Sequence, residues 1–204
     1  AGDICDVGDE VKVVAAFARA RERFGDPHIL INNAGQAEGA PFAETSRELW
    51  DRLLAVNLTG AFLCTQQVLP AMLRAKAGRI VNVASTAGLR GYARISAYCA
   101  SKHGLIGMTR ALGLETAKHG ITVNSVAPGS TGTARLEELL ARRAQEKGLS
   151  LEEARAEAAS KIPMKRIGLP EELAAAVAFL ASQQAGYITG VVLPVDGGQS
   201  RSLT

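Results

Sequence analysis

Two polar side chains, Tyr98 and Lys102, lie four residues apart in the stretch Ala-Tyr-Cys-Ala-Ser-Lys-His-Gly. On a helix, this spacing places them on one face, one turn apart. A phenol has a pKa of about 10 and is a poor acid or base near neutral pH. A nearby ammonium favours the phenolate and lowers that pKa. The pair therefore predicts proton transfer between Tyr98 and a substrate oxygen, with Lys102 lowering the pKa of the phenol.

A serine and an asparagine can complete this chemistry. Ser85 closes an apolar run that begins at Arg79 and is typical of a buried strand. Its hydroxyl can hydrogen-bond and orient the same substrate oxygen. Asn57 interrupts an apolar helical stretch and is suited to holding a water molecule or a backbone group near Lys102. Taken singly, these residues are also explained as a surface pair or a satisfied core amide.

Composition excludes several function classes. The chain has 204 residues, a formal net charge of +3 and scattered Lys and Arg, so no nucleic-acid-binding stripe is predicted. No run approaches the roughly 18 apolar residues of a membrane span, and no signal-peptide pattern begins the chain. The three cysteines and three histidines share no metal-type spacing. We expect reduced cysteines in the cytoplasm, no metal site and no membrane or nucleic-acid partner.

Strand and helix patterns alternate along a single predicted domain, 1–204. Strand-type apolar runs lie at 28–33, 79–84, 121–127 and 190–195. Helical patterns lie at 9–24, 45–70, 97–118 and 134–162 (broken around Gly148), and a last helix opens at Pro170. A capping box is predicted at 45–48, and Pro70 is expected to end or bend its helix. Continuously apolar strands predict a parallel sheet covered on both faces, a doubly wound α/β fold.

In such sheets, ligands bind beyond the carboxyl ends of the strands. Three groups of residues follow predicted strands directly: the Asn-Asn-Ala-Gly run at 32–35, Ser85, and the Pro-Gly pair at 128–129. We therefore expect them to share one rim of the sheet.

The order and spacing of these motifs resemble the short-chain dehydrogenases/reductases, a family of NAD(P)-dependent oxidoreductases with a Rossmann fold. The resemblance covers the whole chain. It is carried by Asn-Asn-Ala-Gly at 32–35, Asn57 in Val-Asn-Leu-Thr-Gly, Ser85, Tyr98-Cys-Ala-Ser-Lys102, Pro128-Gly129 with Thr133, and Tyr187-Ile-Thr-Gly190 leading to Asp196-Gly-Gly198.

The resemblance implies a role for each matched residue. Tyr98 would be the general acid/base, and Lys102 would lower its pKa and hold the nicotinamide ribose. Ser85 would polarise the substrate carbonyl, and Asn57 would complete a proton relay through a bound water. The other cofactor contacts would be Asp6 and Val7 at the adenine, Asn33, Ala34 and Gly35 along the adenosine, and Pro128, Gly129 and Thr133 at the nicotinamide. On local sequence alone, Gly35 and Gly129 are also explained as strand ends, and Asp196-Gly-Gly198 as a structural turn.

Family members also carry features that this sequence lacks. They have a glycine-rich turn, Thr-Gly-x-x-x-Gly-x-Gly, where the pyrophosphate meets a helix N-terminus, and about two further strands before 2–7. Without that first βαβ unit, we expect an open apolar sheet edge. We expect an intact protein with a further N-terminal segment rather than a natural short form, which would be inactive. The residue that selects NAD or NADP lies in that segment, so cofactor preference is not readable, and NADP is favoured by analogy.

The closest resemblance is to 3-oxoacyl-(acyl-carrier-protein) reductases, which implies a small-molecule or acyl-thioester substrate. Segment 130–168 would cover the substrate, with apolar side chains that also suit core packing: Leu136, Leu139, Leu140, Ile162 and Met164. Two other functions stay open, another alcohol, polyol or diol dehydrogenase and a catalytically silent nucleotide-binding or scaffold protein. The family implies a homotetramer or homodimer. Small residues on the helix 97–118 permit close helix approach and equally permit packing on the sheet.

Overall fold

A parallel sheet of four strands forms the centre of the computed structural model, which describes residues 1–200. The strands lie in the order of the chain: β1 (Ile29–Asn32), β2 (Gly78–Val83), β3 (Ile121–Pro128) and β4 (Val192–Val195). Each neighbouring pair is parallel, and Asn32, Asn82 and Ser125 lie in register across three strands.

Helices follow the strands as the alternating pattern predicts. They are α1 (Glu10–Phe24), α2 (Arg47–Leu54), α3 (Gly60–Ala75), α4 (Ser96–Thr116), α5 (Ala134–Lys147), α6 (Leu151–Ser160) and α7 (Pro170–Ala181). A π-helical segment, Ala55–Thr59, joins α2 to α3. The predicted break at Gly148 is confirmed, because that residue adopts a left-handed conformation with φ of 66° between α5 and α6.

Both faces of the sheet are covered, which explains why its strands are apolar throughout. Ile80 of β2 packs in a cluster with Val68 and Met72 of α3. The next residue, Val81, points to the opposite face and packs with Leu180 of α7. Because side chains alternate along a strand, a sheet sandwiched by helices needs apolar residues at both parities. The predicted doubly wound α/β fold is confirmed.

Two details of the long second helix differ from the prediction. Its N-cap is Ser46 rather than Thr45, since the Ser46 hydroxyl accepts a hydrogen bond from the Leu49 amide at 3.1 Å. Thr45 instead donates to the carbonyl of Pro41 and ends a short 3₁₀ turn. Pro70 does not end α3, which continues to Ala75. Pro70 lies on the exposed face, where water can replace the helical hydrogen bond that it removes.

The edge of the sheet at β1 is open within residues 1–200. β1 pairs with β2 on one side, and residues 2–7 form no strand on the other. Ile29 is 52% exposed and Ile31 is 37% exposed, although both are strand residues. This confirms the open apolar edge that was predicted for a sheet without the glycine-rich unit.

The helical run Arg47–Ala75 is long and apolar enough to cross a bilayer, so the prediction that no run approaches this limit is wrong. Its most apolar window has a mean hydropathy of 1.2. In this fold, the same run packs Val68 and Met72 against the sheet. Core helices have this length and composition too, so the run gives no argument for a membrane span.

Two glycines on α4 provide a matched stability test. A Cβ at Gly113 would lie 2.9 Å from the Gly190 amide nitrogen, whereas a Cβ at Gly107 would meet nothing within 4 Å. Gly113→Ala should therefore destabilise the fold by about 1–3 kcal/mol through overpacking against backbone. Gly107→Ala should stabilise it by up to about 1 kcal/mol through helix propensity. Urea unfolding measures both, and equal effects of the two substitutions would contradict this packing.

Candidate active site

Tyr98 and Lys102 lie on the first two turns of α4, beside the carboxyl end of β2. The Lys102 ammonium donates a hydrogen bond to the carbonyl of Val83, the last residue of that strand, at 2.8 Å. Its Nζ lies 5.8 Å from the centre of the Tyr98 ring. Lys102 is only 4% exposed. The predicted shared helix face is therefore confirmed, and it holds a buried cation next to a phenol.

Burial controls the pKa values of both groups. It lowers the pKa of Lys102 to about 8, and the positive charge of Arg135 adds to this fall. Burial raises the pKa of Tyr98, while hydrogen bonding to Ser85 and the charge of Arg135 offset part of the rise. The predicted fall in the pKa of Tyr98 is therefore wrong for this structure. The low-polarity surroundings disfavour both charged forms, phenolate and ammonium alike.

Ser85 lies at the strand end where the sequence places it. It caps the 3₁₀ turn Thr86–Gly88, and its Oγ accepts a hydrogen bond from the Ala87 amide at 3.1 Å. Because this bond uses a lone pair, the hydroxyl hydrogen stays available for donation. Ser85 is close enough to Tyr98 to hydrogen-bond its phenol. The two hydroxyl groups can therefore converge on one oxygen atom.

Asn57 lies inside the π-helical segment and is 1% exposed. Its amide nitrogen donates to the carbonyl of Gln36 at 2.8 Å and to the Ser101 hydroxyl at 3.1 Å. Its amide oxygen accepts from the Gln36 amide at 2.8 Å. Both N–H groups of the Asn57 amide are thus bonded to protein. Asn57 was predicted to hold either a water molecule or a backbone group, and the structure shows it holding the backbone of Gln36.

The N-terminal group of predicted cofactor residues lies around one crevice. Val7, Asn33 and Ala34 line it together with Asn57, and its volume is about 170 Å³. The crevice runs along the open edge of β1. Asp6 is exposed outside this lining, and its carboxylate accepts a hydrogen bond from the Gly8 amide.

Gly35 lies between this crevice and the lysine. A Cβ at Gly35 would stand 3.2 Å from Asn57 Oδ1 and 3.5 Å from Lys102 Nζ. A side chain there would press on both polar groups, so a glycine keeps the space beside the ammonium open.

The C-terminal group of predicted cofactor residues begins at Pro128, the last residue of β3. Gly129 has a packing reason of its own, because a Cβ there would lie 2.8 Å from the Cβ of Asp196. The Asp196 carboxylate accepts the amide hydrogens of Gly198 and Ser200, which confirms the structural turn. Thr133 is the exposed N-cap residue of α5. Within residues 1–200, its hydroxyl makes no hydrogen bond that caps the helix.

The site fits the ribose of a dinucleotide. An ammonium has three N–H donors. Within residues 1–200, the Lys102 ammonium donates one hydrogen bond, to the Val83 carbonyl. A cation this buried needs its other donors satisfied, and ribose hydroxyls are suitable acceptors for the open space at Gly35. By contrast, residues 1–200 hold no group of three or more His, Cys, Asp or Glu side chains that could bind a metal ion.

Two site residues were not predicted from the sequence. Ser101 lies inside the motif, yet only the fold shows that it contacts Asn57. Arg135, in the predicted covering segment, donates to the Ala37 carbonyl at 3.0 Å and so reaches the loop after β1. No local pattern indicates this contact, because the two residues are far apart in the chain. Within the covering segment, Leu140 and Ile162 are core residues, whereas Met164 is 65% exposed.

Comparison with known proteins assigns the family. The family described as enoyl-(acyl carrier protein) reductase matches residues 4–200. The 3-oxoacyl-(acyl-carrier-protein) reductase of Thermotoga maritima is 38% identical over 96% of this chain and 75% of its own length. The levodione reductase of Leifsonia aquatica is also 38% identical, over 97% of this chain and 73% of its own.

Solved structures agree with these relatives. The crystal structure of a variant actinorhodin polyketide ketoreductase with NADPH superposes with a TM-score of 0.94 and 41% identity. The alignment covers 98% of this chain and 78% of that one. The parallel sheet and the buried Lys102 beside Tyr98 are consistent with these relatives. The chain therefore belongs to the short-chain dehydrogenases/reductases, the NAD(P)-dependent oxidoreductases that act on carbonyl and CH–OH groups.

Proposed function

We propose that this protein reduces the ketone of a 3-oxoacyl thioester to a secondary alcohol. The observation that carries the proposal is the cluster of Ser85, Tyr98 and Lys102 at the carboxyl end of β2. Two of the similar proteins support the substrate class, since one is named a 3-oxoacyl-(acyl-carrier-protein) reductase and another a polyketide ketoreductase.

In the proposed reaction, the substrate carbonyl oxygen lies between two hydroxyl groups. Ser85 donates a hydrogen bond that polarises and orients the carbonyl. A dinucleotide held through its ribose by Lys102 would supply the hydride that the carbonyl carbon accepts. Tyr98 transfers its proton to the carbonyl oxygen, which completes the two-electron reduction to an alcohol and leaves a phenolate. The Lys102 ammonium stabilises that phenolate by its charge.

The pKa of Tyr98 bears on the protonation state in which the site waits for its substrate. Burial raises that pKa above its usual value, so burial favours the neutral phenol. A protonated phenol is ready to act as an acid toward a carbonyl, whereas oxidation of an alcohol needs the phenolate as base. We therefore propose that the free site is in the protonation state that ketone reduction requires.

We propose that NADPH is the preferred cofactor, with NAD(H) as the alternative, because a similar structure contains NADPH. Lys102 would hold the ribose. At the nicotinamide end, the cofactor would meet the Thr133 hydroxyl, which makes no capping bond to its own helix, and the backbone at Pro128 and Gly129. The crevice lined by Val7, Asn33 and Ala34 would take the adenosine side, with Gly35 beside it and the exposed Asp6 outside its lining.

A substrate comparison tests the proposal. Oxidation of NADPH, followed at 340 nm, should be fastest with an acetoacetyl thioester. A cyclic diketone assayed in the same way, and a panel of polyols and diols assayed with NADP+ for the formation of NADPH, serve as the comparison. The second candidate, another alcohol or ketone dehydrogenase, is supported by the levodione reductase relative. Faster turnover of the cyclic diketone or an alcohol would favour it. No turnover with any compound would favour a silent nucleotide-binding protein or the inactive natural short form. The retention of Ser85, Tyr98 and Lys102 together argues against a silent protein, which has no chemical reason to keep them.

Removal of the Ser85 hydroxyl should lower kcat by about 10²–10³-fold, because the developing oxyanion loses a donor. Ser85→Thr keeps the hydroxyl and is the matched control, expected to retain much more activity than Ser85→Ala. Steady-state reduction of the acetoacetyl thioester measures both variants. If Ser85→Ala and Ser85→Thr were equally active, the assignment of Ser85 would be wrong.

We also propose a cytoplasmic homodimer or homotetramer. The free state of Cys5, Cys64 and Cys99 supports a reducing compartment. The exposure of Leu114 on α4 (82%) supports pairing through this helix, on which Gly107 leaves open space. Light scattering after gel filtration tests the assembly.

A further inference from the structure

Ser101 connects two parts of the site that the proposed reaction uses. It is fully buried, at 0% exposure, and lies between Tyr98 and Lys102 on α4. Its hydroxyl donates to the carbonyl of Tyr98 at 2.8 Å. The same oxygen accepts a hydrogen bond from the Asn57 amide at 3.1 Å. The hydroxyl thus has a fixed direction, because its only hydrogen is committed to the carbonyl.

The chain of hydrogen bonds continues beyond Asn57. The amide of Asn57 bonds both polar groups of the Gln36 backbone, at 2.8 Å each. Gln36 directly follows Gly35, whose backbone lies against Asn57 Oδ1. Ser101 therefore links the loop that carries the proposed cofactor residues to the backbone of the proposed proton donor.

Two other hydroxyl groups on α4 provide a comparison. Thr109 also combines a back-bond with a bond from a distant side chain, but its partner Asn82 lies on β2, so it joins the helix to the sheet. Thr116 bonds the Leu112 carbonyl one turn earlier, at 2.8 Å, and within residues 1–200 lies against the strand start at Ile121. Such back-bonds to the preceding turn are common for Ser and Thr in helices. Ser101 makes its back-bond and also accepts from a side chain on a different helix, 44 residues away.

We propose that Ser101 is a positioning residue that acts through Asn57, and that it sets the placement of the cofactor loop relative to Tyr98. This inference rests on the proposed function, since it needs Tyr98 as the proton donor. Without the hydroxyl, one buried N–H of Asn57 loses its partner, and the amide keeps its bonds to Gln36 but loses its link to the backbone of Tyr98. Small misplacement of reacting groups reduces rate far more than it reduces binding.

A double-mutant cycle in the protein tests this inference. Ser101→Ala should lower kcat by about 10–100-fold and leave the dissociation constant of NADPH within about twofold. In the background of Asn57→Ala, the same substitution should change kcat by less than about twofold, because the two residues act as a unit. Thr116→Ala removes a comparable buried hydroxyl from the same helix and should keep the wild-type kcat.

Three results would overturn the inference: an unchanged kcat in Ser101→Ala, equal fold-losses in both backgrounds, or weaker NADPH binding in proportion to kcat. Far-UV circular dichroism checks folding. Where a variant does not fold, Ser101→Cys or Asn57→Ser takes its place in the cycle. Tyr98→Phe in the same assay reports separately on the proposed function, since full activity of that variant would reject the function whatever Ser101 does.

Discussion

Tyr98→Phe is expected to lower kcat for ketone reduction by about 10²–10⁴-fold, the usual contribution of a positioned general acid. The substitution removes one hydroxyl from a half-buried ring and keeps the ring itself. Binding of NADPH should change little, because the ribose is assigned to Lys102 rather than to the phenol. Initial rates at 340 nm and a fluorescence titration of NADPH measure the two quantities.

The matched control is Tyr187→Phe, which removes the same atom from a fully exposed ring. That variant should keep the wild-type rate, since its phenol is surrounded by water. Full turnover by Tyr98→Phe with the true substrate would show that another group supplies the proton.

The second large effect is expected for Lys102→Met, which removes the buried charge and keeps most of the side-chain volume. Turnover should fall by at least about 10²-fold, because the phenolate formed on Tyr98 loses its stabilising cation. Affinity for NADPH should fall as well, since the proposed ribose donors are gone. An Arg substitution keeps the charge but not the compact donor geometry, and it should not restore activity.

The same substitution should change how stability depends on pH. Burial lowers the pKa of Lys102 to about 8 from an ordinary 10.5. Between these values, the unfolded chain binds more protons than the folded one, so the free energy of unfolding rises with pH. The gain across this window is about 3 kcal/mol at most. Below pH 8, the folded state carries the full cost of the buried cation.

Urea unfolding at pH 7.5 and pH 10 measures this effect. The wild type should gain stability relative to Lys102→Met as the pH rises, because only the wild type has the titrating ammonium. A difference between the two proteins that stays constant with pH would contradict burial of a charged Lys102.

Much of the fold follows from local pattern. The alternation of apolar strands with helices predicts the parallel sheet, because a strand covered on both faces cannot show a polar side. The helix ends at Gly25 and Gly148 follow from the left-handed backbone that glycine permits. The choice of Ser46 over Thr45 as the N-cap of α2 does not follow from local pattern, because both residues carry a hydroxyl that can cap a helix. The passage of α3 through Pro70 also depends on tertiary packing of its buried face.

For the site, spacing places Tyr98 and Lys102 together but cannot give the sign of a pKa shift. That sign depends on burial, and burial depends on the complete fold. The hydrogen bond between Asn57 and Ser101 and that between Arg135 and Ala37 join distant segments, so no local pattern contains them. Gly129 illustrates the reverse case, in which a residue assigned to the cofactor also has a packing role against Asp196.

Transfer of a labelled hydride tests the central claim most directly. The wild type would be given an acetoacetyl thioester and NADPH with deuterium at the transferable position, and the product would be analysed by mass spectrometry. The expected product is a 3-hydroxyacyl thioester with one deuterium on the carbinol carbon, formed by the wild type and by Tyr187→Phe but not at a comparable rate by Tyr98→Phe. An unlabelled product, hydrolysis of the thioester in place of reduction, or equal labelling by Tyr98→Phe would contradict it.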